Sequence, residues 1–268
     1  MKNEIIRLCP NKPDVTLTSY LFEHKNNKAP AMLVLPGGGY AGICADREGE
    51  PIAVAFSALG FKCFVLHYSV GAAAKFPAPL VEASLAMHYI KANAAKYGID
   101  PERVFVVGFS AGGHLAGALG TMWHKVWREE KLDMPEGANR PAGMILSYPV
   151  ACYFEGTHFE TFRNAIGKES FTEDEAARVS LDKQVDADTV PAFLWHTVDD
   201  ELVSVENTIR LASALCRQGV YTELHVFPHG PHGEATANEV TCGFGLGECD
   251  ARIERWPQLV REWVKTVK

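Results

Sequence analysis

A strand-like run, Arg103-Val104-Phe105-Val106-Val107, leads without a break into Gly108-Phe109-Ser110-Ala111-Gly112, and a helix-like stretch from Ala111 to about His124 follows. Few folds accommodate that join. A chain that turns from strand to helix within five residues passes through a bend too tight for large neighbours, and the flanking glycines keep side chains clear of it. The serine is left exposed above the sheet, beside helix N–H groups that lack intrahelical partners and can face a developing negative charge. Ser110 is therefore the expected nucleophile; the bland alternative is a structural Gly/Ser turn.

The rest of the chain alternates strand with helix, which predicts a mainly parallel sheet covered on both faces. Asp14–Glu23 reads as an early strand at an antiparallel edge, and Ala31–Leu35 as a central strand closed by Pro36 and three glycines. Helix is expected over Glu50–Leu59, Pro79–Tyr97 and Val205–Arg217, each with glycine one or two residues beyond its end. Further strands are expected at Phe61–Tyr68, Ala142–Tyr148, Pro191–His196 and Tyr221–Phe227, and a last helix from about Ala251 to Lys268. Two stretches break the pattern. Residues 150–189 are polar and dotted with aromatics, as in a lid or a wall of a substrate site. Gly230–Asp250 is rich in small residues and reads as an ordered loop. The expectation is one domain over residues 1–268, with a lid-like insertion at about 150–189.

Composition narrows the function. A net charge of -7, with no Lys/Arg cluster, argues against nucleic acid as a partner. No apolar run approaches the roughly 18 residues that span a membrane. Seven scattered cysteines without a Cys-x-x-Cys suit reduced thiols rather than disulfides or zinc, and the first residues lack a signal-peptide core, so the expected compartment is the cytoplasm.

A serine hydroxyl needs a base, and the base needs an orienting carboxylate. In an open α/β sheet these groups gather where strands end at their carboxyl edge. Among the ten histidines, only His229 and His232 lie just beyond the last strand, and His232 is the preferred base because it sits deeper in the loop. The acid should follow the preceding strand. Asp200 is favoured over Asp199 there, because the turn into the next helix places it better. The order Ser110, Asp200, His232 is that of a Ser–acid–His hydrolase. Oxyanion donors are expected from Gly38 and Gly39, after the central strand, and from the amide of Ala111. The histidines elsewhere have structural readings: His114 as a buried, hydrogen-bonded imidazole and His196 as a brace for the acid loop.

Several segments carry a family resemblance: Leu33–Tyr40, Asp46-Arg47-Glu48-Gly49, Val107–Leu115, Ser147-Tyr148-Pro149, Trp195–Asp200 and Phe227–Gly233. Through these the chain resembles the α/β-hydrolases, in the small esterase branch that includes acetyl esterases and acetylxylan-esterase-like proteins. It departs from that pattern at Ser204, where many relatives have proline, and at Pro36, where related esterases often have histidine. The resemblance implies an eight-stranded, mostly parallel sheet flanked by helices on both faces. It implies hydrolysis of short acyl esters, acetyl above all, on a sugar or xylo-oligosaccharide, with no metal or cofactor. Tyr40, Arg47 and Tyr148 are then candidates for contact with the alcohol portion. Two rivals share the fold: a serine peptidase for short peptides, for which the chain has no propeller or large cap, and a non-catalytic binding module, against which all three triad members are present.

Overall fold

The computed structural model describes residues 3–22, 28–241 and 249–267, through which eight strands form one sheet. In chain order they are β1 (Ile5–Arg7), β2 (Thr16–Tyr20), β3 (Ala29–Leu35), β4 (Lys62–His67), β5 (Ile99–Phe109), β6 (Met144–Ser147), β7 (Ala192–Thr197) and β8 (Thr222–Phe227). Their spatial order is β1-β2-β4-β3-β5-β6-β7-β8. β2 is antiparallel to both its neighbours, and every pairing from β4 to β8 is parallel. The helices are α1 (Ala45–Glu48), α2 (Glu50–Ala58), α3 (Ala78–Ala92), α4 (Ala94–Tyr97), α5 (Ala111–Glu129), α6 (Phe159–Ile166), α7 (Glu173–Ala177), α8 (Glu206–Arg217) and α9 (Trp256–Trp263).

Alternation within the strands sorts the core into two layers, because successive side chains on a strand point to opposite faces. Met32 and Val34 of β3 and Phe105 and Val107 of β5 join one layer, where α2 and α9 cover them with Ile52, Phe56, Trp256 and Trp263. Leu33, Leu35, Val104 and Val106 join the other, under Leu80 and Met87 of α3, Leu115 and Leu119 of α5, and Leu211 of α8. Continuously apolar strands are thus dry on both sides, as a parallel sheet requires. Among the described residues, no helix is long and apolar enough to cross a membrane.

The expected elements are present; β5 is longer than expected, α1 is additional, and four further differences stand out. β1 is an additional edge strand, three residues paired with β2, with Ile6 packed against the core. The long helix expected to Tyr97 is broken at Asn93, whose side-chain amide donates to Tyr89 O at 2.8 Å, and resumes as the short α4 before Gly98. α5 runs past His124 to Glu129, since no glycine or proline stops it. The final helix is shorter than expected: a single 3-10 turn, Ile253–Arg255, precedes α9, with Pro257 in its first turn. Residues 242–248 of the expected loop, including Cys242, lie outside the described residues, as do Glu23 and Lys268 at the ends of two expected elements.

Between β6 and β7 the chain forms α6 and α7. Phe162 and Val179 of this segment pack with Val150 and Val203 in a small separate cluster. α7 starts at a capping box: Thr172 Oγ1 accepts from Glu175 N at 3.2 Å, and the Glu175 carboxylate accepts from Thr172 N at 3.0 Å.

Candidate active site

Ser110 sits where β5 hands over to α5, with φ 52° and ψ −119°, a strained conformation for a residue with a side chain. Space, as much as the tight turn, dictates the flanking glycines. A Cβ on Gly108 would lie 2.0 Å from Gly112 O, and one on Gly112 would lie 2.1 Å from Leu35 O. The Ser110 amide donates to Ser147 O at 3.1 Å, fixing the bend against the end of β6.

Three side chains from the ends of three strands meet here. His232, in the loop after β8, has Nε2 2.9 Å from Ser110 Oγ and Nδ1 2.7 Å from Asp200 Oδ2. With Nδ1–H donating to the carboxylate, Nε2 is the free acceptor that faces the hydroxyl. Asp200, in the loop after β7, is locked from every side. Its Oδ1 accepts from Leu202 N at 3.0 Å and Val203 N at 2.8 Å, and its Oδ2 also accepts from His196 Nε2 at 3.2 Å. Burial alone would push this carboxyl up, but the hydrogen bonds from His196, His232 and the Val203 amide hold it well below the usual carboxylate range. His196 is itself fixed, with Nδ1 2.7 Å from Thr208 Oγ1, so it braces the acid loop as expected. Asp199 does something else. It is half exposed and accepts from His229 Nδ1 at 3.0 Å and Gly230 N at 2.8 Å, a pairing that sits apart from Ser110.

The glycine loop after β3 faces the same hydroxyl. Gly38 has φ 129° and Gly39 φ 63°, and both line the cavity at Ser110. Among the described residues neither amide donates to a protein acceptor, whereas Gly38 O takes the amides of Ala41 and Gly42 and Gly39 O takes Asn164 Nδ2. Ala111 N is the first amide of α5 and has no carbonyl a turn earlier in the helix to bond. The three donors expected from the sequence are thus grouped around Ser110.

The tyrosines are a correction. Tyr40 and Tyr148 are 0% and 1% exposed, so neither can touch a substrate alcohol. Tyr40 OH donates to His114 Nδ1 at 2.9 Å, and His114 Nε2 donates to Val179 O at 2.7 Å. Burial pushes the His114 imidazole down to about 4, partly opposed by its bond to Val179, so it stays neutral and acts as a strut. Tyr148 packs edge-on against the His232 ring, with centroids 5.0 Å apart. Both tyrosines were candidates for contact with the alcohol portion, but each ring is buried, with its hydroxyl bonded to protein groups, and each backbone has a positive φ, 57° and 37°. Arg47 does line the site. A cavity of about 240 Å³ at Ser110 and His232 is walled by Arg47, Gly38 and Gly39, and by His158, Glu160 and Asn164 of the segment between β6 and β7. Arg47 also borders an adjoining cavity of about 440 Å³ with Asp199, Glu201 and Leu202. The sequence singled out no residue among His158, Glu160 and Asn164; only the expectation that residues 150–189 wall a substrate site pointed toward them.

Among the described residues, one grouping could offer three metal donors: His124, Asp186 and Asp188, with ligand atoms within 4.8 Å of one another. The Lys125 ammonium already lies 3.1 Å from Asp186 Oδ2, and none of the three residues lines the cavity at Ser110.

The histidine loop carries a pH-sensitive carboxyl. Glu234 is buried, its Oε1 lacks a hydrogen-bond partner, and burial followed by the nearby Asp250 raises it to about 7. A carboxyl raised on folding stabilises the fold while protonated. That contribution is complete below the unfolded value near 4.5 and is lost as pH rises through about 7. The wild type should therefore lose Tm between about pH 5 and about pH 8, and Glu234→Gln should flatten that fall. Superimposable curves of Tm against pH would refute this.

Comparison with known proteins places this geometry in a family. Residues 17–215 match the family model described as BD-FAE. The solved structure of an acetyl ester-xyloside bifunctional hydrolase from Caldicellulosiruptor lactoaceticus is 33% identical, with TM-score 0.84 over 98% of this chain and 96% of that one. The carboxylesterase Cest-2923 from Lactobacillus plantarum WCFS1 is 28% identical, with TM-score 0.86 over 99% of this chain and 98% of that one. Among curated proteins, endo-1,4-beta-xylanase B of Butyrivibrio fibrisolvens is 38% identical over 235 residues, 85% of this chain and 36% of that protein. The acetylxylan esterase of Xylanibacter ruminicola is 28% identical over 250 residues, 92% of this chain and 47% of that protein. The chain spans less than half the length of either curated relative. With the family model matched over residues 17–215 and a sheet that superposes on solved hydrolases along nearly its whole length, the chain belongs to the BD-FAE family and has the α/β-hydrolase fold.

Proposed function

We propose that the chain is a serine carboxylic-ester hydrolase that removes short acyl groups, acetyl above all, from sugars or xylo-oligosaccharides. The observation that carries this reading is the hydrogen-bonded line from Asp200 through His232 to Ser110, ending at a cavity floored by unpaired glycine-loop amides. In the first step, Ser110 Oγ attacks the ester carbonyl while His232 Nε2 takes its proton. The amides of Gly38, Gly39 and Ala111 hold the tetrahedral oxyanion, and Asp200 stabilises the imidazolium. His232 then gives the proton to the departing alkoxide, which leaves as the alcohol. In the second step the same imidazole takes a proton from water as it attacks the acyl-enzyme, then returns that proton to Ser110 Oγ as the Ser110–acyl bond breaks and the carboxylic acid departs.

The small cavity favours a short acyl group. Its wall supports a sugar as the alcohol: Arg47 and Asn164 offer donors, while Glu160 and the Asn164 carbonyl offer acceptors, a mixture that suits hydroxyls able to do both. The names of the relatives from Caldicellulosiruptor and Xylanibacter, an acetyl ester-xyloside hydrolase and an acetylxylan esterase, point the same way. We further propose that residues 150–189 act as a lid on a single domain. A cytoplasmic location is supported by free thiols at all six described cysteines.

Steady-state assays test the reading. p-Nitrophenyl acetate should be turned over, with kcat/KM falling at least about tenfold by the octanoate as added methylenes outgrow the cavity. Acetylated xylo-oligosaccharides should release acetate. Comparable efficiency on aminoacyl-p-nitroanilides would make the chain a peptidase, and failure to take a fluorophosphonate label would make it a binding module.

A further inference from the structure

Glu48 is a fully buried carboxylate in a run of polar sequence, at the end of the four-residue α1. Burying such a group is costly unless its oxygens are used, and here both are. Oε2 accepts from Gly37 N at 2.7 Å, immediately before the two glycines whose amides face Ser110. Oε1 accepts from Tyr148 OH at 2.9 Å. The same phenol oxygen accepts from Ala235 N at 3.0 Å, in the loop that carries His232. Two hydrogen-bonding side chains therefore span from one loop to the other. Burial raises the Glu48 carboxyl, while Arg47, the Gly37 amide, His232 and Tyr148 oppose that rise.

The fit around this carboxylate is close. A Cβ on Gly37 would lie 2.7 Å from Glu48 Oε2 and 2.8 Å from Phe109 O, so the loop backbone is pressed between the carboxylate and the nucleophile elbow. The Gly37 peptide has its other side fixed as well: Gly37 O accepts from Cys44 N at 2.9 Å, and the preceding Pro36 O accepts from Tyr68 OH at 2.5 Å. Through Tyr148, Glu48 thus supplies a hydrogen-bonded connection between this peptide and the histidine loop.

We infer that Glu48, acting through Tyr148, is a positioning residue that keeps the glycine-loop amides and His232 in register about Ser110. The inference rests on the hydrolase reading above. It predicts a loss confined to the transition state, because the amides serve the oxyanion rather than the ground-state ester.

The test is kcat and KM on p-nitrophenyl acetate for Glu48→Gln, Tyr148→Phe and the double variant, with circular dichroism to confirm folding. A glutamine can satisfy Gly37 N or Tyr148 OH but not both in their present sense. Glu48→Gln should lower kcat about 100-fold with KM within about threefold, as expected for reacting groups displaced by a fraction of an ångström to an ångström. Tyr148→Phe, which keeps the ring and the Gly37 contact, should lower kcat about tenfold, and the double variant should be little worse than Glu48→Gln because both changes cut one connection. Folded variants with kcat within about threefold of wild type, or with the loss carried by KM alone, overturn the inference. Should Glu48→Gln fail to fold, Tyr148→Phe decides: reduced kcat at unchanged KM supports the link, and unchanged kcat removes it. A wild type that turns over no ester and takes no fluorophosphonate label defeats the hydrolase reading itself, whereas an active wild type with unaffected variants defeats only the role of Glu48.

Discussion

Ser110→Ala is expected to lower kcat on p-nitrophenyl acetate by about 10⁴ or more while leaving the fold intact, the scale on which removal of a triad member acts. The size follows from what the alanine leaves behind. Gly38, Gly39 and Ala111 amides would still polarise a bound carbonyl, and His232 would still hold a water by its free Nε2, but no oxygen would be fixed 2.9 Å from that nitrogen. Covalent acyl transfer would be closed, and only attack by a loosely held water would remain. The elbow should survive, since its strained backbone is held by Ser110 N on Ser147 O and by Gly108 and Gly112 packing, none of which uses the hydroxyl. Relief of a buried polar contact should leave Tm unchanged or slightly raised. Circular dichroism, Tm and loss of fluorophosphonate labelling measured on one preparation check the whole statement. Residual kcat within tenfold of wild type would falsify the nucleophile assignment.

The parts of this site that the sequence disclosed are those fixed by local constraints. A serine between glycines after an apolar strand can be placed because sterics alone restrict the turn, and His232 and Asp200 can be placed because parallel strands deliver their following loops to one edge. The turn after β7 suggested Asp200 rather than Asp199 as the residue facing His232, and in the structure the hydrogen bonds from Leu202 N and Val203 N hold Asp200 there. What stayed hidden depends on distant packing. Glu48 stands in the polar run Asp46-Arg47-Glu48, where a charge ordinarily faces solvent. Its burial follows from Gly37, Tyr148 and Ala235, separated from it by up to nearly two hundred positions, and no periodicity announces that. Only its place in a run that resembles known esterases hinted at it. Tyr40 and Tyr148 failed for the converse reason: tyrosines beside the catalytic loops suggested contact with the alcohol portion, but their hydroxyls bond to His114 and Glu48 inside the protein, partners far away in the chain. β1 and the break at Asn93 were missed because three paired residues and one side-chain bond to Tyr89 O leave no mark in hydrophobic spacing.

The neighbouring aspartates provide the sharpest discrimination within the site. Asp200→Asn is expected to lower kcat about 10⁴-fold, and Asp199→Asn to change it less than about threefold. Asp200 presents Oδ1 to two backbone N–H groups and Oδ2 to two imidazoles, so all its partners donate. An asparagine has one oxygen for these four donors. Kept on the Leu202 and Val203 amides, that oxygen leaves the NH₂ facing His232, whose Nδ1 must then accept. The ring proton moves to Nε2, the nitrogen that has to take the proton from Ser110, and the base is lost without displacement of the ring. His196 can keep its bond to Val203 O at 2.9 Å, so the loop retains an anchor and the variant should fold. Asp199 faces His229 in solvent, and its loss breaks an exposed pair of little energetic consequence. The carboxylate of Asp200 also links the site to acid stability. With its folded value well below the unfolded one, its contribution is present above the unfolded pKa near 3.8 and is lost as pH falls through the folded value. Wild type should accordingly lose Tm on acidification below about pH 4 more steeply than Asp200→Asn. If Asp199→Asn proves the more damaging substitution in the kcat assay, the orienting acid moves one residue back, and Asp200 loses its role of orienting His232 and stabilising the imidazolium.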